Sequence, residues 1–183
     1  MLKRIFLVGF ILIVFSKQSW SGAFELSSGF SYSRSYYSEL SYSWTKRFGF
    51  AFGYFFYERS EVEIAYQDIV ERNYISGFED TTFHDRIYSV NLVQSFTGKS
   101  AAIQPYVKIG IGQLNRDAVG TYIGGYAPPV SVDSVTGVLG VGLRLYVTRT
   151  FAIRSEATSY LAGGSIRNWK NNIVINFGLS VVF

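Results

Sequence analysis

The chain has no cysteine, three prolines, one histidine and one methionine in 183 residues, and only 16% of it is charged. Without cysteine there is neither a disulfide framework nor a lipoprotein anchor. A lone histidine makes a transition-metal site improbable. A soluble domain carries about a quarter charged residues, so this chain is poorly equipped to wet a water-facing surface. Beyond the N-terminal segment no apolar run approaches the 18 residues of a spanning helix. In a bilayer the remaining solution is a closed set of strands, because every backbone polar group must be paired internally.

The chain opens with a targeting pattern. Lys3 and Arg4 precede an unbroken apolar run from Ile5 to Phe15, the length of a signal-peptide core and too short to span a membrane. Small residues follow in Ser19-Trp20-Ser21 and Ser21-Gly22-Ala23. The expected organisation is a cleaved signal peptide over 1–22 and one barrel domain over 23–183, with an uncleaved anchor as the alternative. Cleavage would remove Lys3, Arg4 and Lys17 and lower the formal charge from +4 to +1, fourteen basic residues against thirteen acidic. No basic patch then remains to suggest nucleic acid as a partner.

Aromatic residues reach 18%, with 16 Phe and 14 Tyr, and there are 18 glycines. Later segments have a period of two, the mark of strands. Ile173, Ile175, Phe177, Leu179, Val181 and Phe183 alternate with smaller or more polar residues. So do Phe48, Phe50, Phe52, Tyr54 and Phe56; Ile103 to Ile111; and Val135 to Val147. Weaker alternation begins at Phe24, Val62, Tyr88 and Phe151, giving eight strands. Tight turns are expected near 58–60, 97–100 and 148–150, and longer loops at 33–39, 72–82, 116–133 and 162–171. Short turns at one end and long loops at the other are what membrane barrels show. Alternation also suits an inside-out soluble barrel, but the second face is glycine, alanine, serine and tyrosine with few charges, which fits a narrow lumen better than bulk water.

The ending Asn176-Phe177-Gly178-Leu179-Ser180-Val181-Val182-Phe183 resembles the outer-membrane β-signal: polar, any, glycine, two free positions, apolar, any, aromatic. With the signal peptide and eight strands, the chain resembles the OmpA/OmpX-like outer-membrane β-barrel proteins along nearly its whole length. The resemblance implies an all-β, eight-stranded antiparallel up-and-down transmembrane β-barrel in a bacterial outer membrane. It also implies that Asn176, Gly178, Val181 and Phe183 are read by the barrel-assembly machinery. Such barrels include structural, adhesive, pore-forming and enzymatic members.

With the apolar faces outward, Glu25, Glu63, Lys108, Arg144, Arg154 and Glu156 fall in the lumen. Three acids against three bases suggest a paired network. It either gates a small pore for ions or solutes or simply fills the barrel, and filling is preferred because eight strands leave an interior scarcely wider than side chains. His84, in Phe83-His84-Asp85-Arg86, could serve as a base in a lipid A-modifying enzyme, but Arg86 stands where the deacylase type has serine. A surface histidine at a loop-to-strand junction is the preferred reading. Glu79, Asp80 and Asp85 could hold a divalent ion, although an acidic loop is usually just solvated. Gly110-Ile111-Gly112 and Gly137 to Gly142 lie within strands and fail as phosphate loops. The expectation is a non-enzymatic, monomeric barrel of structural or surface-interaction role, with no cofactor, metal or catalytic residue. Its partners would be outer-membrane lipid, lipopolysaccharide and the assembly machinery.

Overall fold

The computed structural model describes residues 24–38, 40–98, 101–123, 125–162 and 173–183. The signal-peptide segment and most of the 162–171 loop lie outside the described residues. The strands are β1 (Phe24–Ser38), β2 (Ser41–Tyr57), β3 (Ser60–Ile75), β4 (Glu79–Ser95), β5 (Ile103–Tyr122), β6 (Gly125–Tyr146), β7 (Phe151–Ala162) and β8 (Ile173–Val182). Each pairs antiparallel with its chain neighbour, and β1 pairs with β8 to close an up-and-down barrel. Closure leaves no open edge in the paired region, the condition a strand must meet in hydrocarbon.

Alternation places the side chains as expected. The outward face carries Leu26, Phe50, Ile64, Val90, Ile109, Val141, Ile175 and Phe177, each at least 45% exposed. Water would not tolerate so much contiguous apolar surface. The inward face carries the buried polar residues. At the seam, Phe24 and Phe183 exchange two backbone hydrogen bonds of 3.0 Å, and their rings lie 6.1 Å apart.

Three expected long loops are largely strand. β3 continues to Ile75 and β4 starts at Glu79; β5 and β6 run to Tyr122 and from Gly125; β1 reaches Ser38. Turn-forming and charged residues suggested loops, but cross-strand pairing continues through them, from Arg72↔Thr82 to Asp117↔Ser131. At the β3–β4 tip Gly77 takes φ 73°, which glycine adopts without steric cost. A bilayer needs about 9–11 residues per tilted strand. β2 to β6, at 16 to 22 residues, therefore rise well beyond the apolar belt, whereas β7 and β8, at 12 and 10, do not.

Candidate functional site

The side chains with most chemistry meet inside the barrel, near the end of the short turns. Period-two geometry brings Glu25 of β1, Glu63 of β3, Lys108 of β5, Arg144 of β6, and Arg154 and Glu156 of β7 into one cluster, all buried. Lys108 Nζ donates to Glu63 at 2.9 Å and to Glu156 at 2.6 Å. Arg154 reaches Glu63 at 2.6 Å, Glu156 at 2.9 Å and Glu25 at 3.5 Å. Arg144 contacts Glu25 at 3.1 Å.

Two members were not legible as site residues. Glu61 accepts a hydrogen bond from Arg144 at 2.5 Å and makes the set four acids against three bases. It shares the parity of Glu63, which was its signal. Placing it needed the start of β3, which a bulge at Phe55/Tyr57 fixes at Ser60. Tyr106, 1% exposed, is the organising ring. Its hydroxyl donates to Glu156 at 2.7 Å and accepts from Arg154 Nε at 2.7 Å. The guanidinium carbons of Arg144 and Arg154 lie 4.7 and 5.0 Å from the ring centroid, a double cation–π arrangement. Gly142 makes room for the ring, since a Cβ there would fall 2.2 Å from Tyr106 Cζ.

Further along the lumen, towards the long hairpins, Ile69, Ile87, Leu114, Val138, Tyr160 and Val174 form a buried cluster drawn from six strands. Apolar and charged inward residues meet here, because Ile69 stands in one register row with Arg47 and the Asp85–Arg116 pair. Beside the charged layer lies a void of about 50 Å³ lined by Ser27, Gln67, Lys108 and Asn176 among others, enough for a small number of waters. The lumen is thus filled twice, by an ion-pair layer and by a cluster of apolar side chains bordered by charge.

The other candidates lie elsewhere. His84 sits within β4, not at a loop junction, and Nε2 is 3.0 Å from Asp68 across the outer wall. Among the described residues no serine or threonine hydroxyl bonds its ring, as a nucleophile would. Glu79, Asp80 and Asp85 do not converge. Arg72 donates to both Asp80 oxygens at 2.8 and 2.7 Å, and Arg116 does the same for Asp85 at 2.7 and 2.6 Å. The Arg72 bonds hold the Asp80 carboxyl, beyond the apolar belt, below the usual range. Gly110 and Gly112 face the β4 backbone, where a Cβ would fall 2.5 and 2.3 Å from the Val90 and Tyr88 carbonyl oxygens. Asn176, Gly178 and Val181 lie on β8, with Phe183 just beyond it. A Cβ at Gly178 would fall 2.0 Å from the Ser28 carbonyl oxygen of β1.

No family model and no curated protein sequence matches the chain. Solved structures do. The N-terminal β-barrel domain of OprF from Pseudomonas aeruginosa matches with a TM-score of 0.59 at 14% identity, covering 90% of this chain and all of that one. The attachment invasion locus protein Ail of Yersinia pestis matches at 0.57, also at 14% identity, with coverage of 90% and 100%. The outer membrane protein OprG from Pseudomonas aeruginosa matches at 0.59 and 14%, with coverage of 89% and 96%. The fold is that of small eight-stranded outer-membrane β-barrels.

Proposed function

We propose that the chain is an integral barrel of the bacterial outer membrane, structural or surface-interacting in role, with a lumen that does not conduct. One observation carries the second half of this reading: the lumen is filled by two successive layers, the ion-pair network around Tyr106 and the apolar cluster around Ile87. The first half draws on the apolar outer belt and on the fold shared with outer-membrane proteins. The partners proposed are outer-membrane lipid with lipopolysaccharide, and the assembly machinery acting on β8; the barrel is taken as monomeric. No catalytic role is proposed for His84.

A small gated pore is the second reading. Lys108 and Arg154 both touch Glu63 and Glu156, so partners can exchange without stranding a charge. The second layer argues against it, because Ile87, Leu114 and Val138 occupy the lumen whatever the ion pairs do. Outer-membrane fractionation and heat-modifiable gel migration test the placement, and recovery of soluble protein from the periplasm would sink it. Planar-bilayer recording of refolded protein tests the lumen. Silence from a folded barrel is expected, and steady unit conductance would favour the pore.

A further inference from the structure

The outward side chains of β1 to β5 fall into rows set by the register. Leu26, Phe52, Ile64, Val90 and Ile111 form one row. Phe50, Tyr66 and Tyr88 follow; then Phe48, Asp68 and Arg86; then Tyr32, Lys46 and His84; then Arg34, Trp44 and Arg72. The first two rows enclose a shallow apolar groove of about 390 Å³, floored in part by Leu26, Phe52 and Ile64. A second depression of about 390 Å³, between Val62, Leu92 and Ile109, adjoins it and shares Val90 and Ile111.

The rows beyond the groove differ from strand to strand. On β3 to β5 the cations are neutralised, Arg72 by Asp80 and Arg86 by Asp117. On β1 and β2, Arg34 and Lys46 are exposed and take part in none of the ion pairs among the described residues. Aromatic rings hold them instead. Arg34 lies 4.7 and 4.9 Å from the Tyr36 and Tyr42 ring centroids, and Lys46 lies 5.0 Å from Trp44. Arg34 pairs with Trp44 and Tyr32 with Lys46, so the two cations are diagonal neighbours on adjacent strands. Lys46 stands four residues above Phe50 at the groove's upper rim. That is about 13 Å along the strand and about 10 Å along the normal for a typical tilt. Both cations thus stand on the wall that holds the groove, displaced from it towards the long hairpins.

We infer that the outer wall of β1 to β3 binds an anionic lipid, its phosphate between Arg34 and Lys46 and an acyl chain in the groove below. The inference rests on the proposed membrane placement. Unpaired cations at headgroup height are the complement of lipid phosphate.

The test uses full-length mature barrel in phosphatidylcholine vesicles doped separately with diphosphorylated lipid A, dephosphorylated lipid A or phosphatidylglycerol. Retained lipid is counted by native mass spectrometry. Flotation with the vesicles is read first, and a barrel that fails to float overturns the membrane reading itself. On floated protein, both phosphate-bearing lipids should be retained and dephosphorylated lipid A should not. Arg34→Gln with Lys46→Gln should cut retention about tenfold or more, Ile64→Trp should reduce it by filling the groove, and Arg86→Gln should leave it unchanged. Equal retention of dephosphorylated lipid A, or full retention by the double variant, would overturn the site. Displacement of the lipid by excess inorganic phosphate would overturn the lipid assignment in favour of a free anion.

Discussion

Arg154 shows what a single side chain does in this lumen. It joins three carboxylates, from Glu25, Glu63 and Glu156, and hydrogen-bonds the Tyr106 hydroxyl. Arg154→Met would leave those carboxylates facing Lys108 and Arg144 alone, and stranding buried charge costs about 3–5 kcal/mol. Urea unfolding in lipid vesicles should show that loss, while Arg86→Gln, on the half-exposed outer wall, should cost under about 1 kcal/mol. Adding Glu63→Gln to Arg154→Met should recover part of the loss, as coupled partners do. Equal costs for the two single variants would mean that the network does not hold the barrel together. The parity of Glu25, Glu63, Lys108, Arg144, Arg154 and Glu156 was readable from alternation alone. Their partners were not, because pairing across a lumen depends on barrel shear, which no single strand records.

At the scale of strands, the seam between β1 and β8 and the overshooting hairpins make separate demands. Gly178 has two explanations that sequence cannot separate: recognition by the assembly machinery, and room for the Ser28 carbonyl. Gly178→Ala should slow refolding from urea into vesicles that contain no assembly factors, since the added Cβ meets the β1 backbone at Ser28 and Gly29. Normal refolding with impaired assembly in cells would refute the steric account and leave recognition. In the β5–β6 hairpin Gly120, Gly124, Gly125, Pro128 and Pro129 carry turn chemistry that suggests a loop, yet pairing with the neighbouring strand overrides local preference. One consequence is the clasp between Arg72 on β3 and Asp80 on β4. Its hydrogen bonds depress the Asp80 carboxyl, so its contribution to stability is present above the unfolded value. That contribution fades as pH falls below about 4, through the folded one. A carboxyl-carbon NMR titration should place Asp80 below an ordinary aspartate and move it up in Arg72→Gln. An unmoved midpoint in the variant would rule out the clasp as the cause.

For the whole molecule, the order of layers decides whether the barrel can ever conduct. Ions entering from the short-turn end meet Arg144, Arg154 and Lys108 with their carboxylates; further along they meet Ile69, Ile87 and Leu114, bordered by Arg47 and the Asp85–Arg116 pair. The two barriers fail for different reasons. The first layer opens when its bridges are removed, whereas the second opens only when the apolar side chains beside Arg47, Asp85 and Arg116 give way to smaller polar ones. Arg144→Ala with Arg154→Ala should therefore remain silent in a planar bilayer, and Ile87→Ser with Leu114→Ser should also remain silent behind intact ion pairs. All four substitutions together should give measurable unit conductance, provided that heat-modifiable migration shows the barrel still folded. Conductance from the arginine pair alone would make the ion pairs the sole barrier and restore the gated-pore reading. Silence from the folded quadruple variant would mean that the width of an eight-stranded barrel, rather than its filling, keeps it shut.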